Sequence, residues 1–128
     1  MQVQSLDHLV LTVADVEASA IFYGRVLGMQ RVIFGEGRTA LQFGNQKINL
    51  HPISAPLQPH ALHPVAGSAD LCFVTQGPLA DWLVHLEICE IALEAGPVAR
   101  TGALGPMMSL YFRDLDGNLI EIAKYPEP

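Results

Sequence analysis

One order of elements is written twice along the chain, and this repetition limits its possible folds more than any single residue does. Residues 6–13, Leu-Asp-His-Leu-Val-Leu-Thr-Val, are β-branched and apolar and stop at Ala14-Asp15, which predicts a strand. Asp15 can cap a helix from Val16, Glu17 suits its positive end and Gly28 fits its stop, so a helix is expected over 16–27. Short strands follow at 29–34, 38–43 and 47–51, separated by Gly35-Glu36-Gly37 and Gly44-Asn45-Gln46. From 52 to 67 the chain carries four prolines and no periodicity, and reads as an irregular connector. The pattern then returns with a strand at 70–75 and a helix opened by Pro78 at its first position. Leu79, Trp82, Leu83 and Leu86 hold helical spacing. A weak strand at 91–94, a Gly/Pro-rich loop over 96–106, a strand at 108–112, an Asp116-Gly117 turn and a strand at 119–123 complete the second copy.

Two βαβββ modules predict an α+β fold in which they form an open, cupped mixed sheet, helices outside and a concave face within. The expected layout is a single domain over 1–128, with module one at about 5–52, a connector at about 53–67 and module two at about 68–125. With 128 residues, a multidomain enzyme is excluded; half the residues are apolar and 16% charged, enough for a core and too little charge for disorder. Seven Lys and Arg against thirteen Asp and Glu leave a net charge of −6, which repels phosphate backbones and argues against a nucleic-acid partner. No apolar run approaches the roughly 20 residues that span a bilayer. The first residues do not read as a secretory leader, so a cytoplasmic protein is expected. Cys72 and Cys89 lie 17 positions apart without a CxxC, and reduced thiols are expected.

Overlaying the copies sets His8 on Asp70 and His51 on Glu121. Alternation along each strand turns these four toward the concave face, among apolar neighbours. A lone carboxylate buried there is costly, and metal coordination is one way to offset that. Two imidazoles and two carboxylates suit a divalent first-row ion. Asp70 has the shortest reach and could hydrogen-bond a strand end instead. Arg100 and Thr101, in the Gly/Pro loop, are candidates to contact a substrate carboxylate. Cys72 shares a face with Asp70 but reads as a small hydrophobe. His60 and His63 read as solvated connector residues near the cavity entrance.

Three stretches carry a family resemblance: Asp7-His8-Leu9-Val10-Leu11-Thr12-Val13, the helix end Phe22-Tyr23-Gly24-Arg25-Val26-Leu27-Gly28-Met29, and 111–121 with its Asp116-Gly117-Asn118 turn ahead of Glu121. The chain resembles the vicinal oxygen chelate superfamily, which includes glyoxalase I, extradiol dioxygenases, fosfomycin-resistance thiol transferases and bleomycin-binding proteins. Within it, the chain looks closest to the glyoxalase-domain-containing-5-like branch. The resemblance implies that His8, His51, Asp70 and Glu121 hold one divalent ion, Ni, Zn, Mn, Co or Fe. Four ligands leave an octahedral ion two open positions, which suits a glyoxalase I-like lyase or isomerase in which Glu121 moves a proton. Asp70 departs from the His that thiol transferases and dioxygenases resemble each other in placing there. An extradiol dioxygenase needs three open positions, available only if Asp70 stays off the metal. A thiol transferase needs an anion pocket, and no cationic cluster is visible in the sequence. A drug- or metabolite-binding resistance protein without metal is the non-catalytic alternative. The resemblance also implies a small-molecule substrate and a homodimer.

Overall fold

In the computed structural model, which describes residues 1–128, Asp15 starts the first helix as its chemistry requires. Its carboxylate accepts from the Ala18 N–H, satisfying one of the donors a helix start leaves bare. Gly28 ends the same helix with φ 68°, a left-handed conformation that its missing Cβ permits, and its N–H reaches the Gly24 and Tyr23 carbonyls. The elements of the first half are β1 (His8–Val13), α1 (Val16–Leu27), β2 (Gln30–Phe34), β3 (Arg38–Phe43) and β4 (Gln46–Pro52). Those of the second are β5 (Asp70–Val74), α2 (Leu79–Ile88), β6 (Ala95–Gly102), β7 (Gly105–Arg113) and β8 (Leu119–Lys124).

The chain divides into two compact units, Met1–Gly67 and Ser68–Pro128. The first holds a four-stranded mixed sheet in the order β1-β4-β3-β2, with β1 parallel to β4 and the other pairs antiparallel. The second repeats this as β5-β8-β7-β6, again with the first strand parallel to the last. Each unit is therefore βαβββ, and the α+β class stands.

Alternation divides the first sheet into an inner and an outer face. Leu11, Val13, Leu41, Ile48 and Leu50 are buried on the side of α1, whose Phe22, Tyr23 and Val26 are also buried. Each such side chain contributes about 1.5–3 kcal/mol when removed from water. The second unit leans more on its sheet: Leu110, Phe112, Ile120 and Ile122 are buried, while α2 buries only Leu86.

Three local expectations are corrected. The weak strand at 91–94 is irregular, and most of the Gly/Pro stretch at 96–106 is a hairpin instead of a loop, β6 running to Gly102 and β7 starting at Gly105. Gly96 has φ 111° beside a register shift between Ala95 and Val98, and a Cβ there would sit 2.5 Å from the Ser109 carbonyl oxygen. Glycine here marks a bulge pressed against its neighbour strand, not a break in the sheet. Pro78 lies just outside α2 as its cap and not at its first helical position.

Candidate functional site

Glu121 is placed by a turn that the sequence spells out. Asp114 accepts from the Asp116 and Asn118 N–H groups at 2.9 Å, and from the Asn118 side-chain amide at 2.8 Å. Asn118, 1% exposed, accepts in turn from the Ala69 N–H just before β5. This clamp sets β8 against β5 in the register that puts Glu121 opposite Cys72 and Asp70 opposite Leu119. Asp70, Cys72 and Glu121 therefore share one face.

Glu121 is buried, and the fully buried Ser109 hydroxyl donates to its Oε2 at 2.6 Å. Tyr111 lies directly opposite Glu121 on β7 and receives the Arg100 Nε–H on its hydroxyl at 3.0 Å. Burial is the main cause that pushes the Tyr111 phenol up, with the bond from Arg100 opposing it. Cys72 is exposed as a residue, yet its thiol lies in partly buried surroundings; burial, then Glu121, then Asp70 push it to about 11. It is a thiol at neutral pH and no nucleophile. Arg100 thus reaches the Glu121 cluster through Tyr111, from a strand and not from the expected loop. Thr101 is exposed on β6 opposite Pro106.

In the first unit, His8 begins β1 half-exposed, and its Nδ1 bonds the Asp7 carboxylate at 2.8 Å. The register sets His8 opposite Lys47, Val10 opposite Asn49 and Thr12 opposite His51. His8 and His51 share a face but lie four positions apart along the paired strands, about 13 Å at strand rise. This corrects the overlay of the two copies. His8 matches Asp70, but the residue matching Glu121 is Asn49, two positions before His51.

His51 is 3% exposed and faces a cavity of about 300 Å³ also lined by Val10, Thr12, Pro59, His60 and Ala61. The Arg38 guanidinium stands 3.4 Å from its Nε2. Burial first, then Arg38 and His60, hold the His51 imidazole below its ordinary pKa, so it is neutral near pH 7. His60 is exposed in the connector, as expected, and also lines this cavity. Arg38 and Lys47 both lie over the Phe34 ring, at 4.7 and 3.7 Å from its centroid. The chain does carry a cationic cluster, contrary to the reading of its sequence. Alternation already placed Lys47, Asn49 and His51 on one face; Arg38 and Phe34 join them only through strand pairing. Within either unit, no three His, Cys, Asp or Glu side chains gather as a metal-holding group.

Residues 5–122 match the family model described as the Glyoxalase/Bleomycin resistance protein/Dioxygenase superfamily. A glyoxalase domain-containing protein, RDO1 of Mycosarcoma maydis, is 51% identical over 99% of this chain and 72% of its own length. Virulence protein STM3117 of Salmonella typhimurium is 50% identical over 98% of this chain and 87% of its own. Among solved structures, an integron cassette protein of V. cholerae is 52% identical, covers 98% of both chains and superposes with a TM-score of 0.97. With two βαβββ units, a buried carboxylate on the last strand and a match over nearly its whole length, the chain belongs to the glyoxalase, or vicinal oxygen chelate, superfamily.

Proposed function

We propose that the chain is a metal-dependent enzyme of this superfamily, a glyoxalase I-like lyase or isomerase acting on a small oxygenated substrate. The observation that carries the reading is the Glu121 carboxylate, buried and fixed by the Ser109 hydroxyl at 2.6 Å. His8 supports it. With Nδ1 bound to Asp7, its Nε2 is the nitrogen left for a ligand, the arrangement that a carboxylate behind a metal-binding histidine produces. A neutral imidazole nitrogen and carboxylate oxygens fit a divalent first-row ion. His8 and Glu121 are the leading ligands in this proposal and Asp70, on the Glu121 face, is third. His51 has the weakest electrostatic case, since the Arg38 guanidinium already stands against its Nε2.

A bound ion would supply a Lewis acid for two neighbouring substrate oxygens. The protein's own part is proton movement and orientation. Ser109 holds Oε2 of Glu121, which directs the rest of the carboxylate toward a proton on the carbon next to a carbonyl. Glu121 accepts that proton and returns it to the adjacent carbon, so the net change is an isomerisation and the enzyme ends as it began. Arg100 orients the hydroxyl of Tyr111, the residue opposite Glu121 on β7. A cytoplasmic homodimer is the proposed setting.

Elemental analysis of protein purified without chelator tests the reading. Near-stoichiometric nickel, cobalt, manganese or zinc is expected, lost in His8→Ala and in Glu121→Gln while both keep their melting transitions. Iron would favour ring-cleaving oxygen chemistry instead. No metal even after incubation with excess divalent ions would sink the enzyme reading and leave a binding protein.

A further inference from the structure

We propose that the sheet face of the first unit binds a doubly charged oxyanion, a phosphate or a dicarboxylate, between Arg38 and Lys47, with Asn49 and His51 completing the site. The site is built from the first unit's own strands and does not require a metal.

The first argument is charge. Of seven Lys and Arg in the chain, Arg31, Arg113 and Lys124 are paired with carboxylates. Arg38 and Lys47 are not among these pairs, and both converge on Phe34 from adjoining strands. Two cations over one ring repel each other at short range, and the ring's quadrupole only partly offsets this. In a chain of net charge −6, a pair of cations held together without an acid between them is a place for an anion.

The second argument is unmet hydrogen bonding. Three buried polar side-chain atoms lack a partner: Arg38 Nε, Asn49 Oδ1 and His51 Nδ1. Asn49 and His51 are 4% and 3% exposed, and register places both on the Arg38 and Lys47 face. Arg38 can only donate, so His51 Nε2 is the acceptor opposite it, and Nδ1 carries the ring proton as a donor without an acceptor. Arg38 Nε–H is a second such donor. The Asn49 amide can present its NH₂ by rotating half a turn. An oxyanion answers all three, and the planar guanidinium fork suits its paired oxygens.

The test uses the full chain treated with chelator, titrated with inorganic phosphate, malonate and acetate by calorimetry. Saturable binding of phosphate or malonate is expected, with Kd on the order of 1 mM, and acetate weaker by about tenfold. Arg38→Gln and Lys47→Gln are each expected to weaken the preferred dianion by about tenfold or more. Arg38→Lys keeps the charge without the fork and should fall between. Arg31→Gln, on the opposite face of the same sheet and paired with Glu17, should bind as the parent does. Preference for phosphate would assign a phosphate ester, and preference for malonate a dicarboxylate. Failure of both dianions to saturate, or unchanged binding in both glutamine variants, would overturn the site. Melting curves of each variant separate lost binding from lost folding, and Lys47→Gln decides the matter if Arg38→Gln does not fold. Because chelator is present throughout, these outcomes are independent of whether the metal reading holds.

Discussion

Asn49 and Glu121 hold the same place in the two units: Asn49 lies opposite Val10 across the β4–β1 pair, and Glu121 opposite Cys72 across the β8–β5 pair. Both are buried, but only the carboxylate has its partner, Ser109, while Asn49 Oδ1 has none. An unpaired buried polar group costs about 1–3 kcal/mol. Asn49→Val removes the group at similar volume and suits a strand, so it is expected to stabilise the protein by about 1 kcal/mol, a rise of a few degrees in Tm. Thermal unfolding without added anion checks this. A fall in Tm would mean that the amide contributes to folding.

Ser109 is 0% exposed and its hydroxyl donates to a charged acceptor. Ser109→Ala leaves Glu121 buried without that donor, and a loss of about 2 kcal/mol is expected in urea unfolding at pH 7. The double variant Ser109→Ala/Glu121→Gln should lose less than the sum of the single losses, since the two share one interaction. Additive losses would show that the bond contributes nothing to stability.

Gly96→Ala sets a methyl group 2.5 Å from the Ser109 carbonyl oxygen and 2.9 Å from Leu110 Cα, at φ 111°. Both contacts are backbone, so relief requires β6 and β7 to separate. The expected cost is about 3 kcal/mol or more. Because the displaced residue is Ser109, the bond that fixes Glu121 should be disturbed together with stability. A folded variant with unchanged unfolding midpoint would contradict the close approach.

What the sequence made legible was mainly local. Asp15 and Gly28 mark the ends of α1 through bonds to residues within five positions, and the Asp114 and Asn118 turn works the same way. The errors share a different cause. Gly96 reads as a loop because its reason is the Ser109 carbonyl on another strand. His51 overlays on Glu121 because strand side chains repeat every two residues, so a slip of two keeps every face correct and leaves no trace in the pattern. Only the observed register, which aligns Asn49 instead, can detect it. Arg38 and Lys47 are nine positions apart and meet on Phe34 only once β2, β3 and β4 pair, so their cluster was invisible in a chain with few basic residues.

The His51 imidazole gives the fold a pH dependence of definite sign. Burial, Arg38 on β3 and His60 in the connector hold its pKa below the usual value, and Lys47 on the same face adds no favourable charge. In the unfolded chain the group takes up a proton near pH 6.5. Below that pH the unfolded state binds a proton that the folded state refuses, so this contribution to stability, full above about pH 6.5, falls as pH drops toward the lowered folded pKa. His51→Gln removes the titrating group while keeping a polar side chain. Between about pH 7.5 and 5 the variant is expected to lose less unfolding free energy than the parent, as read from urea midpoints. The other four histidines are common to both proteins, so the difference reads out His51 together with its coupling to His60. Parallel pH profiles would mean that His51 can be protonated in the folded state, against the pressure of the Arg38 guanidinium beside it.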